Sequence, residues 1–240
     1  MRKFFEGVAK FFVSLILLPV LLGLAAGFFK LFRNPPGMSA AEIFFVFGFF
    51  IFIVLFLLKI LPGYVYVFGH ESTHAVWALL FRGKVTEFNV ARDHGNVVTT
   101  KSNCFIVLAP YFFPFYTFLI ILVYYCLAFF FDIARWVDWL FFLVGFTYSF
   151  HIFLTVDAVS DGQSDIQKTG YFFSLVLIMA LNIVTAVLIL KFVTPEKISL
   201  KGYFADSAGI ALAIYRFVFI HLRDWLILLF RSIFEKQPQQ

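Results

Sequence analysis

Long apolar runs, separated by short polar interruptions, dominate this chain. Six of them, over residues 11–32, 43–61, 64–82, 104–131, 136–156 and 171–193, are about as long as a membrane-spanning helix, which needs about 20 mostly apolar residues. Turn chemistry separates them: Arg33-Asn34-Pro35-Pro36-Gly37, Pro62-Gly63, the polar stretch 157–170, and Thr194-Pro195-Glu196. Pro19 and Gly23 are irregularities that a bilayer helix tolerates. Pro110 and Pro114, within LAPYFFP, each remove a backbone donor and predict a kinked fourth helix.

The period changes in two places. Residues 84–91 (KVTEFNVA) and 95–101 (GNVVTTK) are β-branched and partly alternating, and predict a β-hairpin around Arg92-Asp93-His94-Gly95. It is polar enough for a membrane surface or an aqueous cleft. Its edge can pair with an extended peptide, or the hairpin can simply connect helices. In the tail, residues 206–234, Arg216, Arg223, Asp224 and Arg231 fall on one helical face and Ile, Leu, Phe and Trp on the other. That predicts an amphipathic helix in the membrane interface. A seventh span would bury Arg223 and Asp224 near its centre.

The expected fold class is an all-α polytopic membrane protein. It has about six transmembrane helices, a small β-hairpin after the third and a C-terminal amphipathic helix. Residues 1–63 hold two N-terminal spans, 64–193 form the core, and 194–240 the amphipathic helix and tail.

Composition supports lipid as the solvent. Hydrophobic residues make up 62% and charged residues 14% of 240, too much apolar surface for a soluble chain to hide. The 38 phenylalanines read as lipid-facing bulk, not as a base-stacking surface, and no nucleic-acid partner is expected. The net charge of +5 sits between the runs, where it meets lipid headgroups. Lys and Arg divide almost evenly between the two sides, so the positive-inside rule sets no orientation. Cys104 and Cys126 form neither a metal-binding spacing nor an expected disulfide. The basic start (Arg2, Lys3, Lys10) and long apolar run predict a retained membrane helix, as in an integral multi-pass membrane protein. Oligomeric state leaves no trace.

The chemistry lies in the third run, YVYVFGHESTHAVWALLFR, with HESTH at its centre. Positions i and i+4 share a helix face, so His70 and His74 can offer two imidazoles to one metal ion, with Glu71 beside them as general base. About 0.003 chance H-E-x-x-H matches are expected in a chain of this composition. Ionisable groups in a bilayer are costly and are usually kept for a purpose. A catalytic zinc takes three protein ligands and leaves a fourth place for water. For the third ligand His151, Asp157, Asp161 and Asp165 have suitable chemistry. Asp165 is favoured, because its loop leads directly into the sixth run; the alternative role is a helix N-terminal acid. His151 reads as a packing or hydrogen-bonding histidine.

With HESTH in an apolar helix, the segment GKVTEFNV…GNVVTT, the span LAPYFFP and an Asp before a later span, the chain resembles the site-2 protease family of intramembrane zinc metalloproteases. The resemblance covers roughly residues 67–176 and is specific in HExxH. It implies Zn2+ on His70, His74 and a downstream Asp, with Glu71 catalytic. The chain departs from many members in lacking an Asn-Pro before that Asp. Asp161-Gly162 keeps their Asp-Gly pair, while Asp165 in QSDI better matches shorter, divergent relatives. No PDZ insertion interrupts the spans.

The function expected is hydrolysis of a peptide bond in or near a transmembrane segment, with membrane lipids and a transmembrane protein substrate as partners. A transporter or metal carrier, with His151 and Asn182 extending an ion path, is the first alternative, though no internal repeat supports it. A non-catalytic relative that binds membrane proteins is the second.

Overall fold

A computed structural model describes residues 1–33, 37–60, 63–92 and 94–234. The turn residues Asn34, Pro35, Pro36, Pro62 and Asp93, and the end of the tail at 235–240, lie outside them. The chain is 79% helical with one two-stranded hairpin. The order is α1 (Arg2–Leu31), α2 (Ala40–Leu57), α3 (Gly63–Leu80), β1 (Val85–Val90), β2 (Gly95–Thr99), α4 (Cys104–Leu108), a 3-10 turn (Ala109–Tyr111) and α5 (Phe115–Phe130). A second 3-10 turn (Ala134–Trp136), α6 (Val137–Ser160), α7 (Ser164–Thr169), α8 (Tyr171–Val193) and α9 (Leu200–Phe234) complete it.

Among the described residues, four helices are long and apolar enough to cross a membrane: α1, α2, α6 and α8. A fifth span is α4 with α5, if that pair, bent by 81°, counts as one. Six were expected from the sequence. The remaining one is α3, which is 18 residues long but is interrupted by His70, Glu71, Ser72, Thr73 and His74, so it does not qualify on hydropathy. The predicted kink at LAPYFFP is larger than a bend: the helix stops, turns and restarts. The stretch 157–170, expected as a loop, is instead the end of α6 followed by the short α7. Helix α1 begins earlier than the apolar run, and α9 earlier than the amphipathic pattern.

Glycines let two helix pairs approach closely. A Cβ at Gly48 would collide with the Phe142 carbonyl, and one at Gly145 with that of Phe45. The α2–α6 crossing is therefore a reciprocal backbone contact, of the kind small residues make between apolar helices. Gly23 and Gly27 of α1 leave room for α9, a Cβ at Gly23 meeting the Ser207 carbonyl and Ala211 and one at Gly27 the Ser207 hydroxyl and the Tyr203 ring. Tyr203 Oη donates to the Leu24 carbonyl at 3.1 Å. The first half of α9 thus belongs to the helical body, and the second leaves Phe217, Phe219, Trp225 and Phe230 exposed. At the start of α2, Ser39 and Glu42 form a capping box, and Lys197 reaches Glu42 from the α8–α9 link at 2.5 Å.

The core around α3 is built from the broken span. Leu108, Ala109, Tyr111 and Phe112 cluster with Ala158, Ile166 and Ile178, with Trp77 packed against them. Arg82, at φ 59°, ends α3 in a left-handed residue. Its N–H donates to Leu79 at 2.8 Å and the next N–H to Ala78 at 2.8 Å, the Schellman pattern that turns the chain into the hairpin. Strands β1 and β2 are antiparallel, Val90 opposite Gly95 and Phe88 opposite Val97, with a bulge between Val85 and Glu87.

Candidate metal centre

The middle of α3 is fixed from three sides. Gly95, first residue of β2, lies against it: a Cβ there would stand 2.6 Å from Glu71 Cγ and 2.7 Å from Val67 Cγ1. On another side, Tyr116 packs where Gly69 leaves room, a Cβ there lying 2.6 Å from its ring. The third contact is with α4, whose Ile106 carbonyl lies 2.8 Å from His74 Nδ1. A carbonyl only accepts, so Nδ1–H donates, and the lone pair of His74 is left on Nε2. Ordinary helix geometry stacks His70 on His74, so the two Nε2 atoms come within 3.2 Å.

Asp165 is brought to them by α7. Its neighbour Ile166 is buried in the core cluster, and Ser174 Oγ donates to the Ile166 carbonyl at 3.1 Å. Gly170, at φ 101°, makes the sharp turn from α7 into α8, a conformation that favours glycine. Asp165 Oδ2 then lies 3.3 Å from His74 Nε2 and 3.7 Å from His70 Nε2. Its other oxygen faces Lys168 Nζ at 3.6 Å. Burial works against the ionised carboxylate, but the two imidazoles outweigh it and hold Asp165 well below the usual carboxylate range.

Among the described residues, His70, His74 and Asp165 form the group whose donor atoms all lie within 4.8 Å of one another. Asp157 and Asp161, both exposed, stand outside it. The donor set fits zinc. Bonds of about 2.0–2.1 Å in a tetrahedron place neighbouring donors about 3.3–3.4 Å apart, and the three separations here are 3.2, 3.3 and 3.7 Å. Glu71, next to His70 and only 9% exposed, carries a carboxylate that is not part of the group.

His151 has a different task. Its Nε2 donates to Asn182 Oδ1 at 3.1 Å, and Asn182 Nδ2 donates to the Tyr111 carbonyl at 2.7 Å and the Ile178 carbonyl at 2.9 Å. Thr185, one turn on, donates to the Phe112 carbonyl at 3.2 Å, and Thr155 to Tyr111 at 3.4 Å. Where Pro110 and Pro114 interrupt the helix, the backbone carbonyls need new partners, and side chains of α6 and α8 supply them. His151 makes the hydrogen bond expected of it, while the hold of Asn182, Thr185 and Thr155 on the broken span is not among the sequence expectations. The signal for that hold is a polar pair at i, i+3, Asn182 and Thr185, in the apolar middle of α8, in a chain that also holds a proline-broken span.

A cavity of about 30 Å³, room for a small group, adjoins the centre on the His70 side. Tyr66, Pro110, Tyr111, Phe150 and Thr155 are among its walls. No protein-family model, curated protein or solved structure matches the chain.

Proposed function

We propose that the chain is an intramembrane zinc metalloendopeptidase, similar to the site-2 proteases, that hydrolyses a peptide bond in or near a transmembrane segment of a protein substrate. The observation that carries this reading is the convergence of His70, His74 and Asp165, from distant segments, beside the glutamate of an HExxH helix. On this reading α1, α2, the broken α4–α5 pair, α6 and α8 cross the bilayer as an integral multi-pass protein. Helix α3 enters it as a sixth, protein-sheltered helix, and the far half of α9 lies in the interface.

His70, His74 and Asp165 would hold a zinc ion, which when bound would supply Lewis acidity to a water and to the substrate carbonyl. Glu71 takes a proton from the attacking water and returns it to the leaving amine. His74 is kept in the tautomer that leaves Nε2 free by the Ile106 carbonyl. The proximity of Gly95 to Glu71 puts the start of β2 beside the general base, where an unwound substrate segment can be held. Two groups that an ion path would use, His151 and Asn182, are engaged in the clamp on Tyr111, which favours the protease over a carrier.

The test is cleavage of a single-span test protein co-reconstituted in lipid vesicles with the zinc-loaded chain. Glu71→Gln keeps one zinc per chain and loses activity by about 10²–10⁴-fold. Cleavage by that variant at the wild-type rate overturns the reading.

A further inference from the structure

Tyr111 is only 1% exposed, and its phenol makes no hydrogen bond with the described residues. A buried hydroxyl without a partner costs roughly 1–3 kcal/mol, so such groups call for an explanation. The rest of the residue is held firmly. Its carbonyl receives Asn182 and Thr155, and its ring meets His70 edge to face, centroids 5.4 Å apart at 77°. Tyr111 is also among the residues that line the cavity adjoining His70. A proton donor with no partner among the described residues is thus carried on a ring packed against His70, one of the three candidate ligands.

We infer that the Tyr111 phenol is a catalytic residue, the hydrogen-bond donor to the substrate's carbonyl oxygen as its carbon turns tetrahedral. The inference rests on the protease reading and adds a residue to it. During attack the new carbon–oxygen bond forms, the carbonyl π pair moves to oxygen, and that oxygen gains negative charge. Tyr111 donates a hydrogen bond to it and keeps its proton. When the pair returns and the carbon–nitrogen bond breaks, the amine leaves with the proton from Glu71, and Tyr111 is unchanged. A preorganised donor in a water-poor site acts on the charge that develops and adds little to ground-state binding.

Tyr111→Phe keeps the ring, its packing on His70 and the clamped carbonyl, and removes only the donor. With the full chain loaded with zinc, and the same single-span test protein as substrate, kcat falls by about 10²-fold and KM stays within twofold. A phosphinic peptide, whose tetrahedral centre mimics the reacting carbon, loses about 10²-fold in affinity by calorimetry, while zinc remains at one per chain. Undiminished kcat and phosphinate affinity in Tyr111→Phe overturn the inference and leave the protease reading intact. Loss of zinc from the variant also overturns it, since Tyr111 would then serve only to support His70. A zinc-loaded wild type that cleaves nothing removes the protease reading, and the Tyr111 assignment with it.

Discussion

Replacing Asn182 by leucine should loosen the clamp on the broken span and, through it, the metal centre. The substitution preserves bulk and removes two interhelical hydrogen bonds, Nδ2 to the Tyr111 carbonyl at 2.7 Å and Oδ1 from His151 at 3.1 Å. Interhelical hydrogen bonds inside membrane proteins average about 0.6 kcal/mol and reach about 1.7, so the pair predicts a loss of about 1–3 kcal/mol. Part of that loss is the burial of a His151 N–H with no partner. His151→Leu alone costs a similar amount. Together with Asn182→Leu it removes both ends of one bond, and the double variant is therefore less destabilised than the sum of the singles. Reversible unfolding in mixed micelles measures all four proteins. The same samples should bind zinc more weakly wherever Asn182 is lost, because Tyr111, which Asn182 holds, packs on His70. Additive effects, or a single Asn182→Leu indistinguishable from wild type, would refute the reasoning about the clamp.

Other substitutions probe the frame. Gly95→Val places a Cβ within 2.6 Å of Glu71 Cγ, so the general base must shift while both histidines stay; cleavage should fall at least tenfold with zinc content unchanged. Gly48→Leu or Gly145→Leu wedges α2 from α6 at their backbone contact and should cost about 1–3 kcal/mol in the same unfolding assay, whereas Gly7→Leu, with open space around it, should cost under 1 kcal/mol.

The parts of this arrangement that could be read from sequence are those with a local cause. The i, i+4 spacing of His70 and His74 already implied one shared helix face, and β-branched alternation implied the hairpin. Asp165 was harder, since four residues had suitable chemistry and only packing separates them. Ile166 in the core, Ser174 on its carbonyl and the turn at Gly170 bring Asp165 in, while Asp157 and Asp161 stay exposed. The Ile106 carbonyl that sets the His74 tautomer is a backbone atom, and no residue identity announces it. Length and apolar flanks put α3 among the expected spans, while its polar centre fails the hydropathy test and is sheltered by α4, the hairpin and α7, a tertiary fact no sliding window contains.

The most direct test of the central claim is the zinc content of the purified chain and of four variants, His70→Ala, His74→Ala, Asp165→Ala and Asp161→Ala, measured by elemental analysis after dialysis. One zinc per chain in the wild type and in Asp161→Ala, with loss from the other three, is the predicted result. Retention of zinc by Asp165→Ala, or a wild type that holds none, would contradict it.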